Sequence, residues 1–162
     1  MITIRKLIPS DHDQVWDILK AIIQKGEVFA YPITSTKEEI IDYWCHPKKH
    51  TYVAIKDTEI AGTFFIQDNQ PGLGSHIANA GYAVSEKHAG HGIGKAMCEY
   101  SLTEAKRLGY MAMQFNIVVK SNENAVQLWK KMGFSIIGEI PDAFMHSKNG
   151  LTNAYIMYRK LD

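Results

Sequence analysis

An α/β fold, built on one mixed seven-stranded sheet with helices on both faces, is predicted by three features of the sequence. β-rich runs alternate with helical repeats along the whole chain, some of those runs are joined by hairpin-length turns, and a glycine-rich turn joins a strand directly to a helix near the middle. Hairpin-linked strands run antiparallel, whereas a strand-helix-strand unit has to be parallel, so the sheet is mixed.

The elements follow in order. Ile2 and Ile4, with Leu7 beyond them, mark a first short strand, and Pro9 and Ser10 followed by Asp13 mark a helix start with a side-chain cap. Val15, Ile18, Leu19 and Ile22 recur at helical spacing until Gly26. Residues 27–32 hold Phe29 and Tyr31 without a period, after which Thr36 and Glu39 form a capping box that opens a second helix through Trp44. The aromatic segment between these helices is free to cover a site. Residues 51–55 and 60–67 read as a hairpin around Asp57-Thr58-Glu59. A loop rich in Gly and Pro, 70–76, precedes a fourth strand at 78–85. A helix then runs from Ile93 to about Gly109, a fifth strand covers 111–119, and Ala125, Leu128, Trp129 and Met132 line a helix that Gly133 ends. Strands at 134–140 and 153–160 close the chain.

The totals narrow the function classes. A chain of 162 residues fits a single domain, 1–162, and a formal charge of +1 provides no electrostatic case for nucleic acid or an anionic membrane. Cys45 and Cys98 have no paired spacing and join no metal-binding motif, so no metal is expected and both read as reduced thiols of a cytoplasmic protein. Residues 1–7 alternate rather than run apolar, and neither a signal peptide nor a transmembrane helix is expected.

The stretch His88-Ala89-Gly90-His91-Gly92-Ile93-Gly94-Lys95-Ala96-Met97 carries the main functional signal. A glycine turn between strand and helix gathers backbone N–H groups at the positive end of the helix dipole, a place suited to phosphate. A phosphate loop of the magnesium-nucleotide type is excluded because Ala96, not a hydroxyl residue, follows Lys95, and neither Gly90 nor Gly92 starts a dinucleotide fingerprint.

Gly92-Ile93-Gly94 resembles the end of the pyrophosphate loop [QR]-x-x-G-x-[GA] of the GCN5-related N-acetyltransferases. Downstream, Asn122-x-x-Ala125-x-x-Leu128-Trp129-x-Lys131-x-Gly133-Phe134 is similar to that family's N-x-x-A-x-x-L-Y-x-K-x-G-F. The resemblance spans the chain from about Ile2 to Leu161. It implies a mostly antiparallel sheet whose one parallel pair is splayed, with acetyl-coenzyme A as donor lying where those strands part. It further implies that the backbone of Ala83 and Val84 pairs with the pantetheine arm, that the N–H groups from Gly90 through His91, Gly92 and Ile93 to Gly94 take the pyrophosphate, and that Val84 N–H supplies an oxyanion donor. Asn122 faces the pantetheine or the reacting centre under this reading, and fits equally as a helix N-cap.

Two positions depart from the pattern. Ala89 stands where Gln or Arg is usual, a gap that His88, His91 or Lys95 fills in part, although His88 and His91 taken singly read as solvated loop histidines. Trp129 stands where a Tyr is common; its indole cannot protonate a leaving sulfur, and a core aromatic is the simpler description. A thiol pKa of about 8.5 makes the thiolate a fair leaving group without acid help.

The runs Asn69-Gln70-Pro71-Gly72-Leu73-Gly74-Ser75-His76, Asn79-Ala80-Gly81-Tyr82 and Met113-Gln114-Phe115-Asn116 resemble those of a branch that detoxifies proline analogues such as azetidine-2-carboxylate. That likeness implies an amino-acid acceptor handled by Asn79 and Asn116, both in predicted strands where asparagine is disfavoured, with Phe29 and Tyr31 as part of an apolar wall or lid, core packing being an equally good reading of those two rings. Satisfaction of these asparagines by neighbouring backbone is the alternative. Acetylation of a peptide and a non-catalytic acyl-coenzyme A binding module remain as rival functions, and the C-terminal strands allow a homodimer.

Overall fold

The computed structural model describes all 162 residues. Its elements are β1 (Ile2–Lys6), α1 (His12–Lys25), α2 (Lys37–Trp44), β2 (His50–Lys56), β3 (Glu59–Asp68), β4 (Ile77–Val84), α3 (Ile93–Arg107), β5 (Ala112–Val119), α4 (Glu123–Lys131), β6 (Ser135–His146) and β7 (Gly150–Lys160). The strands form one sheet in the order β1-β2-β3-β4-β5-β7-β6. Helices cover both of its faces, as the alternation of elements predicts.

Only β4 and β5 pair in parallel, through Ile77 with Ala112 and Ala78 with Met113. The connection from β1 to β2 carries two helices and returns the chain antiparallel, so the expectation that helix-linked strands run parallel fails there. β7 inserts between β5 and β6 and is antiparallel to both. No helix is long and apolar enough to cross a membrane.

Two cores flank the sheet. On one face α3 and α4 set Ile93, Met97, Cys98, Val126 and Trp129 against Phe64, Ile66, Met113 and Phe115. On the other, α1 and α2 set Val15, Leu19, Ile23, Ile40 and Trp44 against Val53, Phe65 and Ala83. At the usual 1.5–3 kcal/mol for fully burying a large apolar side chain, these stripes anchor the helices beyond anything their caps contribute.

The capping box of α2 forms as read, with Glu39 N–H donating to Thr36 Oγ1 at 3.3 Å and Thr36 N–H to Glu39 Oε1 at 3.0 Å. The start of α1 differs. Asp13 is exposed in the first turn and pairs with Lys37, while Asp11, buried to 4% exposure, accepts from Arg5 at 2.8 and 3.0 Å and from Ile8 N–H at 2.8 Å. These bonds hold the Asp11 carboxyl below its ordinary range, the guanidinium contributing most. β6 and β7 extend well beyond the predicted strands because β6 is a largely exposed edge. Its apolar alternation is broken by Pro141 and by Asp142 at φ +50°.

Candidate active site

The parallel pair opens just after its second residue, and the direction of the β4 main chain decides what the opening contains. Asn69 N–H donates to the Ile77 carbonyl and Ser85 N–H to the Ala61 carbonyl, each at 2.8 Å, so the odd-numbered residues of β4 turn their amides toward β3. Met111 N–H donates to the His76 carbonyl at 2.9 Å, so the even-numbered residues face β5. Beyond Ala78 there is no β5 partner. The main-chain groups of Ala80, Tyr82 and Val84 therefore point into the gap, whereas those of Ala83 belong to the β3 ladder. By this parity the Val84 main chain faces the gap although Val84 does not line the cavity there, the Ala83 main chain faces β3 instead, and that of Tyr82 faces the gap.

A cavity of about 130 Å³ occupies the gap, lined by Val28, Phe29, Ala80, Gly81, Tyr82, Phe115, Ile117, Val118, Val119, Asn122, Ala125 and Trp129. The site-residue expectations at Phe29, Asn122 and Trp129 meet here. Asn122 stands at the N-cap position of α4, yet its side chain makes no capping bond, which leaves its amide free to face the cavity. Trp129 packs at 4.9 Å from both the Tyr82 and Phe115 rings, so it is a core aromatic and a cavity wall together. The Tyr82 hydroxyl lies 2.5 Å from Ser101 Oγ, and burial pushes its pKa well up. That hydroxyl is directed to α3 rather than left free.

At the C-terminal end of β4 the glycine loop leads into α3. Gly90 at φ +77° and Gly92 at φ +78° occupy the left-handed region, and a Cβ added at either would meet open space. Gly92 is the N-cap of α3 and no side chain caps it, so the first-turn N–H groups remain unpaired and point outward. A different need operates at Gly94, where a Cβ would come within 3.3 Å of Leu128 and spoil the close approach of α3 to α4. The loop thus fits a pyrophosphate on backbone donors alone, with Ala89 exposed beside it.

His88 departs from the solvated loop histidine expected. It is buried at 7% exposure, its Nε2 lies 3.6 Å from Glu59 Oε2, and its Nδ1 has no partner within the chain. The short helical turn at residues 86–88 rolls the imidazole under the loop against Glu59. His91 and Lys95 are exposed, with Lys95 Nζ 3.9 Å from Glu99.

Tyr31 backs Phe29 with ring centroids 5.4 Å apart, but it does not line the cavity. Asn79 and Asn116 lie outside it too, at the base of the gap. Asn79 accepts from Gln67 at 3.1 Å and donates to the Gln114 carbonyl at 3.0 Å, so neighbours satisfy it. Asn116 is exposed, accepting from Gln114 Nε2 at 3.0 Å and donating to Asn69 Oδ1 at 2.7 Å. Sequence reasoning missed Tyr82, Gly81, Phe115 and Ile117 as cavity walls. The signal available was the period-2 alternation of β4 and β5, counted from the end of each strand. No cluster of three or more His, Cys, Asp or Glu side chains suited to a metal ion occurs.

The chain matches the model of the acetyltransferase (GNAT) family over residues 16–134. It is 30% identical to the N-acetyltransferase aca1 of Schizosaccharomyces pombe, covering 83% of this chain and 72% of that protein. A GCN5-related N-acetyltransferase structure from Kribbella flavida superposes at TM-score 0.94 with 33% identity, over 98% of this chain and 97% of that one. The structure of yncA from Salmonella typhimurium, solved with its cofactor acetyl-CoA, shares the fold at TM-score 0.88 and 18% identity, over 100% and 95% of the two chains. A strand pair splayed after two residues, a glycine loop with outward N–H groups, and a family match across most of the chain converge: this chain belongs to the GNAT family and is an acetyltransferase.

Proposed function

We propose that the chain transfers the acetyl group of acetyl-coenzyme A directly to the amine of a small amino acid or amino-acid analogue, of the proline-analogue type represented by azetidine-2-carboxylate. The observation that supports a small acceptor is a strap beside the cavity wall. The tip of the β6–β7 hairpin is fastened to the end of α1: Ser147 N–H donates to the Gly26 carbonyl at 3.0 Å, its hydroxyl donates to the Lys25 carbonyl at 2.5 Å, and Lys148 meets Glu27 at 3.1 Å. Val28 and Phe29, directly after this anchor, form the cavity wall. A peptide acceptor needs an open groove between these two loops, and here they are joined. The ion pair is exposed and contributes little; the two bonds to main-chain carbonyls hold the strap.

Each side chain then has a limited task. The unpaired N–H groups of the glycine loop and of the first turn of α3 receive pyrophosphate, His91 N–H being already bonded to the His88 carbonyl, and the open N–H groups of Tyr82 and Val84 receive the pantetheine amide and the developing oxyanion. The neutral amine attacks the thioester carbon to form the C–N bond, the C–S bond breaks, the thiolate leaves without a protein acid, and the proton shed by the nitrogen passes to water. Asn122 donates a hydrogen bond at that centre, and Phe29 and Trp129 exclude water. Positioning therefore accounts for most of the acceleration. The homodimer reading attaches to the free edge of β6, where Ile137 and Met145 are exposed, and light scattering tests it. A coenzyme A release assay over free amino acids, cyclic analogues and short peptides tests the whole. Turnover with the small amines supports the reading, and turnover with peptides alone overturns it.

A further inference from the structure

A second concavity lies on the α1 and α2 face, between the α2–β2 turn and the exit of β3, bordered by Tyr43, His46, Lys49, Gln67 and Asn69 among others. Lys49 is its unusual member. Its Nζ sits 3.1 Å from the Tyr43 ring centroid and 4.9 Å from that of Phe65, its one hydrogen bond goes to the Tyr43 carbonyl, and no carboxylate lies within ion-pair distance. A half-buried ammonium held on aromatic faces with no counter-ion is a stand-by cation. Burial lowers its pKa to about 8, consistent with a charge that lacks an anionic partner. Asp68, also at the border, is turned to the Tyr110 hydroxyl.

Two sets of contacts connect this groove with the acetyl cavity. In the first, Phe65, 3% exposed and lining neither space, touches both sides: Lys49 Nζ lies 4.9 Å from its ring centroid, and a Cβ on Gly81, a cavity residue, would lie 2.6 Å from its ring. The second is a chain of amides that begins and ends at the groove, running from Gln67 through Asn79, Gln114 and Asn116 to Asn69. Gln114 enters this chain through its main-chain carbonyl on the Asn79 side and through its side-chain amide on the Asn116 side.

We propose that Lys49, flanked by Gln67 and Asn69, is the subsite for the carboxylate of the acceptor, and so selects amino acids over simple amines. The lysine swings from the Tyr43 face to the carboxylate, and the acceptor nitrogen reaches the Gly81 side once the buried Phe65 ring turns aside. This inference rests on the small amino-acid reading above. The test compares azetidine-2-carboxylate with its carboxamide on the wild type, Lys49→Met and Lys49→Arg, each checked for folding by thermal melt. Lys49→Met is expected to raise KM for the acid at least tenfold with kcat within about twofold, to leave KM for the amide within twofold, and to be largely rescued by arginine. Equal losses on both acceptors, or an unchanged KM for the acid, overturn the subsite while leaving the acetyltransfer reading intact. Calorimetry of the acid with coenzyme A-saturated protein separates the two ideas: binding lost in Lys49→Met supports the subsite even without turnover. A wild type that neither binds nor acetylates the acid overturns both.

Discussion

Gly92 and Gly109 form a matched pair that isolates what the glycine loop does. Gly92 is at φ +78° and Gly109 at φ +96°, and an added Cβ meets open space at both. Valine at either position incurs the same backbone penalty, about 1–3 kcal/mol for a β-branched residue in that region. With 162 residues and an unfolding entropy of about 2 cal/mol/K per residue, ~0.34 kcal/mol/K in all, each variant should lose roughly 3–9 °C in Tm. Gly92→Val alone should also lose binding. Its side chain projects where the α3 N–H groups face solvent, and removing two charge-assisted bonds at about 1.5–3 kcal/mol each raises Kd for acetyl-coenzyme A about 10²–10⁴-fold. Isothermal titration on both variants reads the difference. Equal binding by both, or a Gly92→Val affinity within threefold of wild type, would refute the cradle and leave the loop a turn.

Three further outcomes are expected. Asn122→Ala should lower turnover at least tenfold while shifting Tm by no more than about 1 °C, because the side chain makes no capping bond to lose; steady-state kinetics with a thermal melt checks both halves. Asp11→Asn should destabilise by about 1–3 kcal/mol at pH 7. Since the folded Asp11 carboxyl is held below its unfolded value near 3.9, that contribution is present above pH ~4 and lost as pH falls through the folded pKa, so urea midpoints of wild type and variant should converge in acid. Ser147→Pro removes both bonds of the strap, and the ratio of kcat/KM on a tripeptide to that on a free amino acid should rise; an unchanged ratio would mean the strap does not set acceptor size.

Much of the fold was legible because its signals are local. The α2 capping box, the Gly26 stop and the glycine loop depend on neighbours in sequence, and each forms in the structure. The orientation of β1 against β2 was not, since it depends on how a two-helix connection packs. The extent of β6 was hidden because an edge strand with both faces wet keeps no alternation. At the site, Phe29 and Trp129 were legible as large aromatics with no surface role, whereas Ala83 and Tyr82 were exchanged. A strand's parity is set by its neighbour's register, and only the bonds at Ile77 and Ser85 reveal it. His88 sat in a polar run that reads as solvent-facing, and a single helical turn buried it. Asn79 and Asn116 were legible as misplaced polar residues, but their partners lie on β3, on β5 and in the loop after β3, which no local pattern displays.

The most direct test of the account is the mass of the acceptor after reaction. Incubated with acetyl-coenzyme A and azetidine-2-carboxylate, the protein should yield an acceptor heavier by one acetyl group, in equal amount to the free coenzyme A released. Coenzyme A released with no acetylated acceptor, or cofactor bound with nothing released, would contradict it.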